Sequence, residues 1–254
     1  EDGFRTHYDS FTALGMFNTK SDEERLDLAV KAAACPTTKL FLVYHSAPDA
    51  FGHELGPDHA GMKTALARVD EQIRRFHEDF LARRPDARFM IVGDHGMSQV
   101  RERVDAGAEV VRIANQLGLR VGKDFFFFLD STMLRVWFET PDARSKLAPA
   151  IFESHVLASR GRVLTSQLAE SLHVPVADRT YGDLIWWADR GVLVWPDFFH
   201  SPDAHISGMH GYDPSHADSH GTCIVFGPGI SARQVETLEL RGVFEVAREL
   251  LIDE

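Results

Sequence analysis

The sequence has few cysteines, no long apolar run and no excess of basic residues. Two cysteines, Cys35 and Cys223, are too few for a disulfide framework. They do not decide whether the protein belongs to a reducing or an oxidising compartment. No uninterrupted apolar stretch approaches the roughly 18 residues that a membrane-spanning helix needs. With 38 acidic against 27 basic side chains the net charge is −11, so a surface that coats a nucleic-acid polymer is not expected.

The length and composition are those of a globular protein. The chain has 254 residues, of which 44% are hydrophobic and 26% are charged, enough to build one sizeable core. We expect one α/β domain over residues 1–254, with room for a small subdomain at about residues 120–200. The chain begins with Glu1 and shows no signal-peptide pattern, but a processed protein would look the same. A cytoplasmic location is therefore not distinguished from a periplasmic or secreted one, and the oligomeric state stays open.

The first half of the chain predicts a strand, a helix and a strand. The apolar runs Leu40–Tyr44 and Phe89–Val92 are short and are followed by Gly or Pro, which is typical of buried strands. Between them, His59–Arg84 carries one apolar stripe at helical spacing. This order predicts a right-handed parallel crossover and a mostly parallel sheet flanked by helices.

Other elements follow from local patterns. Ser21 and Glu24 predict a capping box that opens a helix. Leu184–Trp187 and Val192–Trp195 predict a hairpin, in which Trp186 and Trp187 belong to the core. The remaining predictions are helices at Val110–Leu117, Ser145–Leu157, Thr165–Leu172 and Val243–Leu251, strands at Phe125–Leu129, Met133–Phe138 and Thr222–Phe226, and a long loop at Ser201–Ser219.

Acidic residues and histidines follow both early apolar runs. Asp49 and His53 come after the first run, and Asp94 with His95 directly after the second. His210 lies in a loop that is rich in the chain's 13 histidines. Taken one at a time, these residues also fit turn caps and surface side chains. A carboxylate and an imidazole at the end of two strands together predict metal ligands gathered at one edge of a sheet.

The three segments resemble the signatures of one enzyme family. Tyr44–Pro57 is similar to the metal-ligand segment of the type I phosphodiesterase/nucleotide pyrophosphatase family, in the alkaline phosphatase superfamily. Gly93–Met97 matches the second signature, with Gly in place of Ser, and His210–Asp213 followed by Gly227-Pro228 matches the third. The signatures occur in the family's order and cover about residues 38 to 230. The resemblance implies an alkaline-phosphatase-like α/β fold.

The resemblance also implies a two-metal site that hydrolyses small phosphate esters. It assigns five metal ligands, in two groups: Asp49, His53 and His210 for one cation, and Asp94 with His95 for a second. Carboxylates and imidazoles suit Zn²⁺, with Mn²⁺ or another divalent cation as the alternative. Two such cations could clamp both the attacking and the leaving oxygen of a phosphoryl displacement. Asp213 and His220 are candidates to orient a ligand through a hydrogen bond, and His220 is the less favoured alternative to His210 as a ligand.

The catalytic nucleophile that the resemblance requires has no match in the sequence. In the family, a Thr or Ser that opens a helix, and an Asp at the end of an earlier strand, both precede the segment that matches Tyr44–Pro57. The hydroxyl residues before this segment do not stand in that setting. We expect the chain to be the C-terminal portion of such an enzyme, with part of the fold missing. A phosphonate hydrolase, a phosphomonoesterase, a sulfatase or a non-catalytic metal-binding remnant are the alternatives.

Overall fold

The computed structural model of the chain describes residues 20–174, 179–231 and 237–252. Its helices are α1 (Asp22–Ala32), α2 (Ala47–Leu55), α3 (Met62–Leu81), α4 (Ala106–Gln116), α5 (Pro141–Glu153), α6 (His155–Ala158), α7 (Ser166–Ser171) and α8 (Gly242–Ile252). Its strands are β1 (Phe89–Val92), β2 (Ser98–Gln99), β3 (Glu102–Val104), β4 (Phe125–Leu129), β5 (Met133–Phe138), β6 (Gly161–Val163), β7 (Leu184–Ala188), β8 (Val192–Val194), β9 (Gly208–Met209) and β10 (Cys223–Phe226).

Contacts divide the chain into two compact units. Of the residues that the structure describes, those within 20–51, 60–94 and 221–252 belong to the first unit, and those within 52–59 and 95–220 belong to the second. The division falls within α2, which runs from Ala47 to Leu55. The single domain with a small subdomain stays a prediction. Among the helices in the described part of the chain, none is long and apolar enough to cross a membrane.

The first unit combines helices with a two-stranded sheet. The predicted capping box at the start of α1 is confirmed: the Glu24 N–H donates to the Ser21 hydroxyl, and the Glu24 carboxylate accepts the Ser21 N–H. Helix α1 packs against α3, and β1 pairs antiparallel with β10. The rings of Phe89 and Phe226, which are partners in this ladder, stack with centroids 5.3 Å apart.

The expected strand at residues 40–44 is wrong, and with it the parallel crossover. The segment belongs to no strand in the structure, while β1 forms its ladder with β10. The side chains of Leu42 and Tyr44 are 66% and 54% exposed, so the segment is also not buried as predicted. An apolar run becomes a strand only when a neighbouring strand accepts and donates its backbone hydrogen bonds, and the run does not encode that neighbour.

The second unit is built on a four-stranded antiparallel sheet in the order β4-β5-β7-β6. Strands β4 and β5 follow the predicted bounds at Phe125–Leu129 and Met133–Phe138. The unit's core includes side chains of α4, α5 and this sheet, and its largest fully buried members are Trp186, Phe125, Leu134, Leu147, Ile151, Leu157 and Leu193. Trp187 is also buried, so both tryptophans lie inside as expected.

The expected hairpin between residues 184–187 and 192–195 is wrong. Both segments contain strands, but β7 pairs with β5 on one edge and β6 on the other, while β8 runs parallel to β3. Strand β7 therefore has no edge left for β8. Within the described ladders β3–β8 is the parallel pair and the others are antiparallel, so the expected mostly parallel sheet is not met there.

Candidate metal centre

A carboxylate from α1 holds the first turn of α2, the helix that carries Asp49 and His53. Asp22 accepts the N–H groups of Ser46 and Ala47, each at 2.9 Å, and the Ser46 hydroxyl at 2.9 Å. A negative charge at this end of a helix is also favourable to the helix dipole. Sequence analysis missed this role, because the cap comes from a helix that lies more than 20 residues earlier in the chain.

Asp22→Asn should destabilise the chain at neutral pH by about 1–3 kcal/mol, because it weakens charge-assisted hydrogen bonds. Burial raises the pKa of Asp22, but hydrogen bonds from Ser46 and Arg25 outweigh it and leave the pKa below its ordinary value. The folded pKa thus lies below the unfolded value of about 3.9, so this stabilisation is present above about pH 4 and is lost as the pH falls further. Urea unfolding at pH 7 and pH 3 should show a larger deficit of the variant at pH 7.

Asp27→Asn is the matched control for this prediction. Asp27 is an exposed carboxylate on the same helix, so its substitution should change the free energy of unfolding by less than about 0.5 kcal/mol. Equal deficits of Asp22→Asn at the two pH values would contradict the role given to the charge of Asp22.

His53 is fixed at the C-terminal half of α2 by contacts with β9. Its Nδ1 lies 2.9 Å from the Gly208 carbonyl, and its own carbonyl accepts the Ser207 N–H at 2.7 Å. An Nδ1–H that donates to a carbonyl leaves Nε2 with its lone pair, as is usual for a histidine that binds a metal. Gly208 allows β9 to lie this close to α2, since a Cβ at this position would lie 2.3 Å from the Gly52 carbonyl oxygen.

His210 follows β9 directly and stands beside His53, with ring centroids 5.0 Å apart. Asp49 lies one turn before His53 on the same helix, so the helix itself places it on the same face. One ligand atom from each of Asp49, His53 and His210 lies within 4.8 Å of the others. An oxygen of the Asp49 carboxylate is buried. One carboxylate and two imidazoles form a donor set that fits a divalent cation such as Zn²⁺.

His95 belongs to the same neighbourhood, because its ring stacks on that of His210 with centroids 3.7 Å apart. Its Nδ1 lies 2.9 Å from the Gly96 carbonyl, so that Nε2 carries the lone pair of the ring. Asp94 precedes His95 just after β1. In the ranges that the structure describes, Asp49, His53 and His210 form the one group of three potential ligands. A second cation at Asp94 and His95 therefore stays a prediction.

The two candidate orienting residues make other contacts. Asp213 pairs with Arg162 and accepts the Ser215 N–H at 2.8 Å. Burial raises the pKa of Asp213, but the hydrogen bonds from Ser215 and Arg162 lower it below its ordinary value, so the carboxyl is charged at neutral pH. His220 is exposed, and its Nε2 lies 3.0 Å from the Pro214 carbonyl. Direct orientation of a metal ligand by either residue stays a prediction.

Solved structures of nucleotide pyrophosphatases have the same fold. Murine ectonucleotide pyrophosphatase / phosphodiesterase 5 matches with a TM-score of 0.67 and 19% identity, over 83% of this chain and 53% of that one. An inactive variant of the murine protein in complex with AMP gives the same values. The human counterpart matches with a TM-score of 0.68 and 20% identity, over 84% of this chain and 54% of that one. The fold is therefore of the alkaline-phosphatase α/β type, and the chain spans about half the length of these proteins.

The family assignment rests on the sequence of most of the chain. No curated protein sequence matches significantly. The family model of type I phosphodiesterases and nucleotide pyrophosphatases matches residues 2–213, a range that includes all five predicted ligands and ends at Asp213. The chain belongs to the type I phosphodiesterase / nucleotide pyrophosphatase family.

Proposed function

We propose that the chain forms the metal-binding part of a hydrolase that cleaves small phosphate esters of the phosphodiester or pyrophosphate class. Asp49, His53 and His210 would hold one divalent cation, and Asp94 with His95 would contribute to a second. Zinc is the cation that this donor set favours. The bound cations would supply positive charge for the oxygens of a phosphoryl group during displacement.

The grouping of Asp49, His53 and His210 within 4.8 Å carries this proposal. These residues come from two segments that are about 155 residues apart, and both segments lie within the range that the family model matches. Because His53 Nδ1–H donates to the Gly208 carbonyl, Nε2 is the ring nitrogen whose lone pair would bind the cation, with no change of tautomer. The charge of −11 favours small esters over long polyanions, which an acidic protein repels.

A nucleotide is the first ester to test. The murine relative was solved in complex with AMP, and family membership supports the same class of substrate here. The superfamily alternatives, a phosphonate hydrolase, a phosphomonoesterase or a sulfatase, would use a similar set of metal ligands. Parallel assays with p-nitrophenyl thymidine 5′-phosphate, p-nitrophenyl phosphate and p-nitrophenyl sulfate separate them, and we expect turnover of the nucleotide diester by the protein isolated from its natural source.

The 254-residue chain by itself should bind zinc without hydrolysing bis(p-nitrophenyl) phosphate. The reason is that its sequence offers the metal ligands of the family but no match to the segment of the Thr or Ser nucleophile. The purified chain would be stripped with a chelator, reloaded with Zn²⁺, dialysed and analysed for bound metal and for release of p-nitrophenolate. Robust turnover would contradict the missing nucleophile, and failure to retain zinc would contradict the metal centre itself. Metal without turnover in the naturally isolated protein would favour a non-catalytic remnant.

A further inference from the structure

The three residues after His210 are each anchored to the strands of the second unit. The Gly211 carbonyl accepts the Trp187 Nε1–H at 2.9 Å. The buried Tyr212 hydroxyl donates to the Val192 carbonyl at 2.9 Å. Asp213 pairs with Arg162. In the motif His210–Asp213, each residue after His210 is therefore held by a hydrogen bond or an ion pair to a strand residue.

Two of these anchors form one structural feature, which we call the Arg162–Trp187 clamp. Arg162 on β6 and Trp187 on β7 are directly opposite each other in the ladder between these strands. The Arg162 guanidinium also lies over the Trp187 ring, 5.4 Å from its centroid, which is a favourable cation–π arrangement. A displacement of either side chain would thus affect the support of both Gly211 and Asp213.

The position of the clamp matters because of the close contacts around His210. The His210 ring stacks on His95 at 3.7 Å and lies 5.0 Å from His53. Gly211 has a φ of +90°, and a Cβ there would lie 3.0 Å from the Thr132 hydroxyl, so the backbone at this turn suits only glycine. The carbonyl that Trp187 holds belongs to Gly211, the residue directly after His210, so loosening it lets the ring shift against both neighbouring imidazoles.

We infer that the Arg162–Trp187 clamp sets the position of the His210 ring and thereby the affinity of the centre for a divalent cation. Arg162 and Trp187 are positioning residues, since they act through Gly211 and Asp213 and not by contact with the cation. This inference rests on the proposed metal centre. A merely structural role predicts instead that the two residues affect stability and leave the cation affinity unchanged. An exposed ion pair contributes little to stability, so a selective effect on affinity is informative for Arg162, whose side chain is 46% exposed.

The neighbouring residues provide matched controls. Trp186 also donates its Nε1–H to a backbone carbonyl, that of Leu157, but away from the His210 segment. Arg160 also forms an ion pair, with Glu102. Trp186→Phe therefore removes the same kind of hydrogen bond as Trp187→Phe, and Arg160→Met removes an ion pair as Arg162→Met does, while Gly211 and Asp213 keep their partners.

The test measures Zn²⁺ affinity by competition with a chromogenic chelator in the 254-residue chain and the four variants, together with their urea unfolding. Trp187→Phe and Arg162→Met should each weaken zinc binding about three- to tenfold, the range expected for one hydrogen bond or charge-assisted contact. Trp186→Phe and Arg160→Met should change it by less than about twofold.

The outcomes separate this inference from the proposed metal centre. If Trp187→Phe and Arg162→Met bind zinc as tightly as their controls, the clamp has no positioning role, although the metal centre stands. If the unsubstituted chain fails to bind zinc, both proposals fall. Should Trp187→Phe unfold, the partly exposed Arg162→Met alone decides the question. Near-equal losses in the controls and in the clamp variants would indicate a general effect of stability and would also overturn the inference.

Discussion

Replacement of His210 with alanine should weaken zinc binding by about 100-fold. An apparent binding free energy of about 10–16 kcal/mol shared among about four ligands gives roughly 3 kcal/mol for each, which corresponds to about two orders of magnitude. His210 is one of three residues whose ligand atoms lie within 4.8 Å of one another, and its ring also contacts His95. Loss of the ring would therefore remove a donor and the neighbour against which His95 stacks. Chelator competition at pH 7.5 measures the effect directly.

His205→Ala is the appropriate control, because His205 is an exposed histidine in the same segment, with its Nε2 3.0 Å from the Ser207 hydroxyl. If the segment binds zinc only because it is rich in histidines, both substitutions should weaken binding to a similar small extent. A loss that is confined to His210→Ala identifies a defined centre. An unchanged affinity of His210→Ala would show that the residue is no ligand.

Sequence analysis predicts best those elements that depend on residues close together in the chain. The capping box at Ser21 and Glu24 depends on two residues that are three positions apart, and the structure has it. Asp49 and His53, four positions apart, lie on one face of α2, a helix that sequence analysis did not predict. Strands β4 and β5 have the predicted bounds because a short turn connects them and fixes their pairing.

Long-range contacts were not predictable in the same way. Residues 40–44 have the composition of a strand, yet the structure gives β1 a ladder with β10 instead. Strands β7 and β8 are adjacent in sequence but pair with other strands, because the choice depends on which edges are already occupied. Likewise, nothing near Asp22 or Trp187 in the sequence indicates that the first caps α2 or that the second holds Gly211.

Gly208→Ala should disrupt the contact between α2 and β9 and weaken zinc binding about 10- to 100-fold. A Cβ at this position would lie 2.3 Å from the Gly52 carbonyl oxygen, which is backbone and cannot turn aside. Gly208 does not have a positive φ, so the cost arises from this overlap and not from backbone strain. The displacement would move the carbonyl that holds His53 Nδ1 and the two-residue strand that leads to His210. We expect a destabilisation of about 1–3 kcal/mol, as for other overpacked sites.

Gly52→Ala tests whether backbone overlap is the cause. Its Cβ would lie 2.6 Å from the terminal methyl group of Met97, which is the end of a flexible side chain and can move aside. Alanine also favours a helix by about 1 kcal/mol relative to glycine, so this variant should be close to neutral in urea unfolding and in zinc affinity. A Cβ at Gly208 would meet the Gly52 carbonyl, so both glycines lie at the same contact. If both variants lose zinc equally, crowding anywhere between α2 and β9 impairs the site, and the close approach at Gly208 has no special role in placing His53 beside His210.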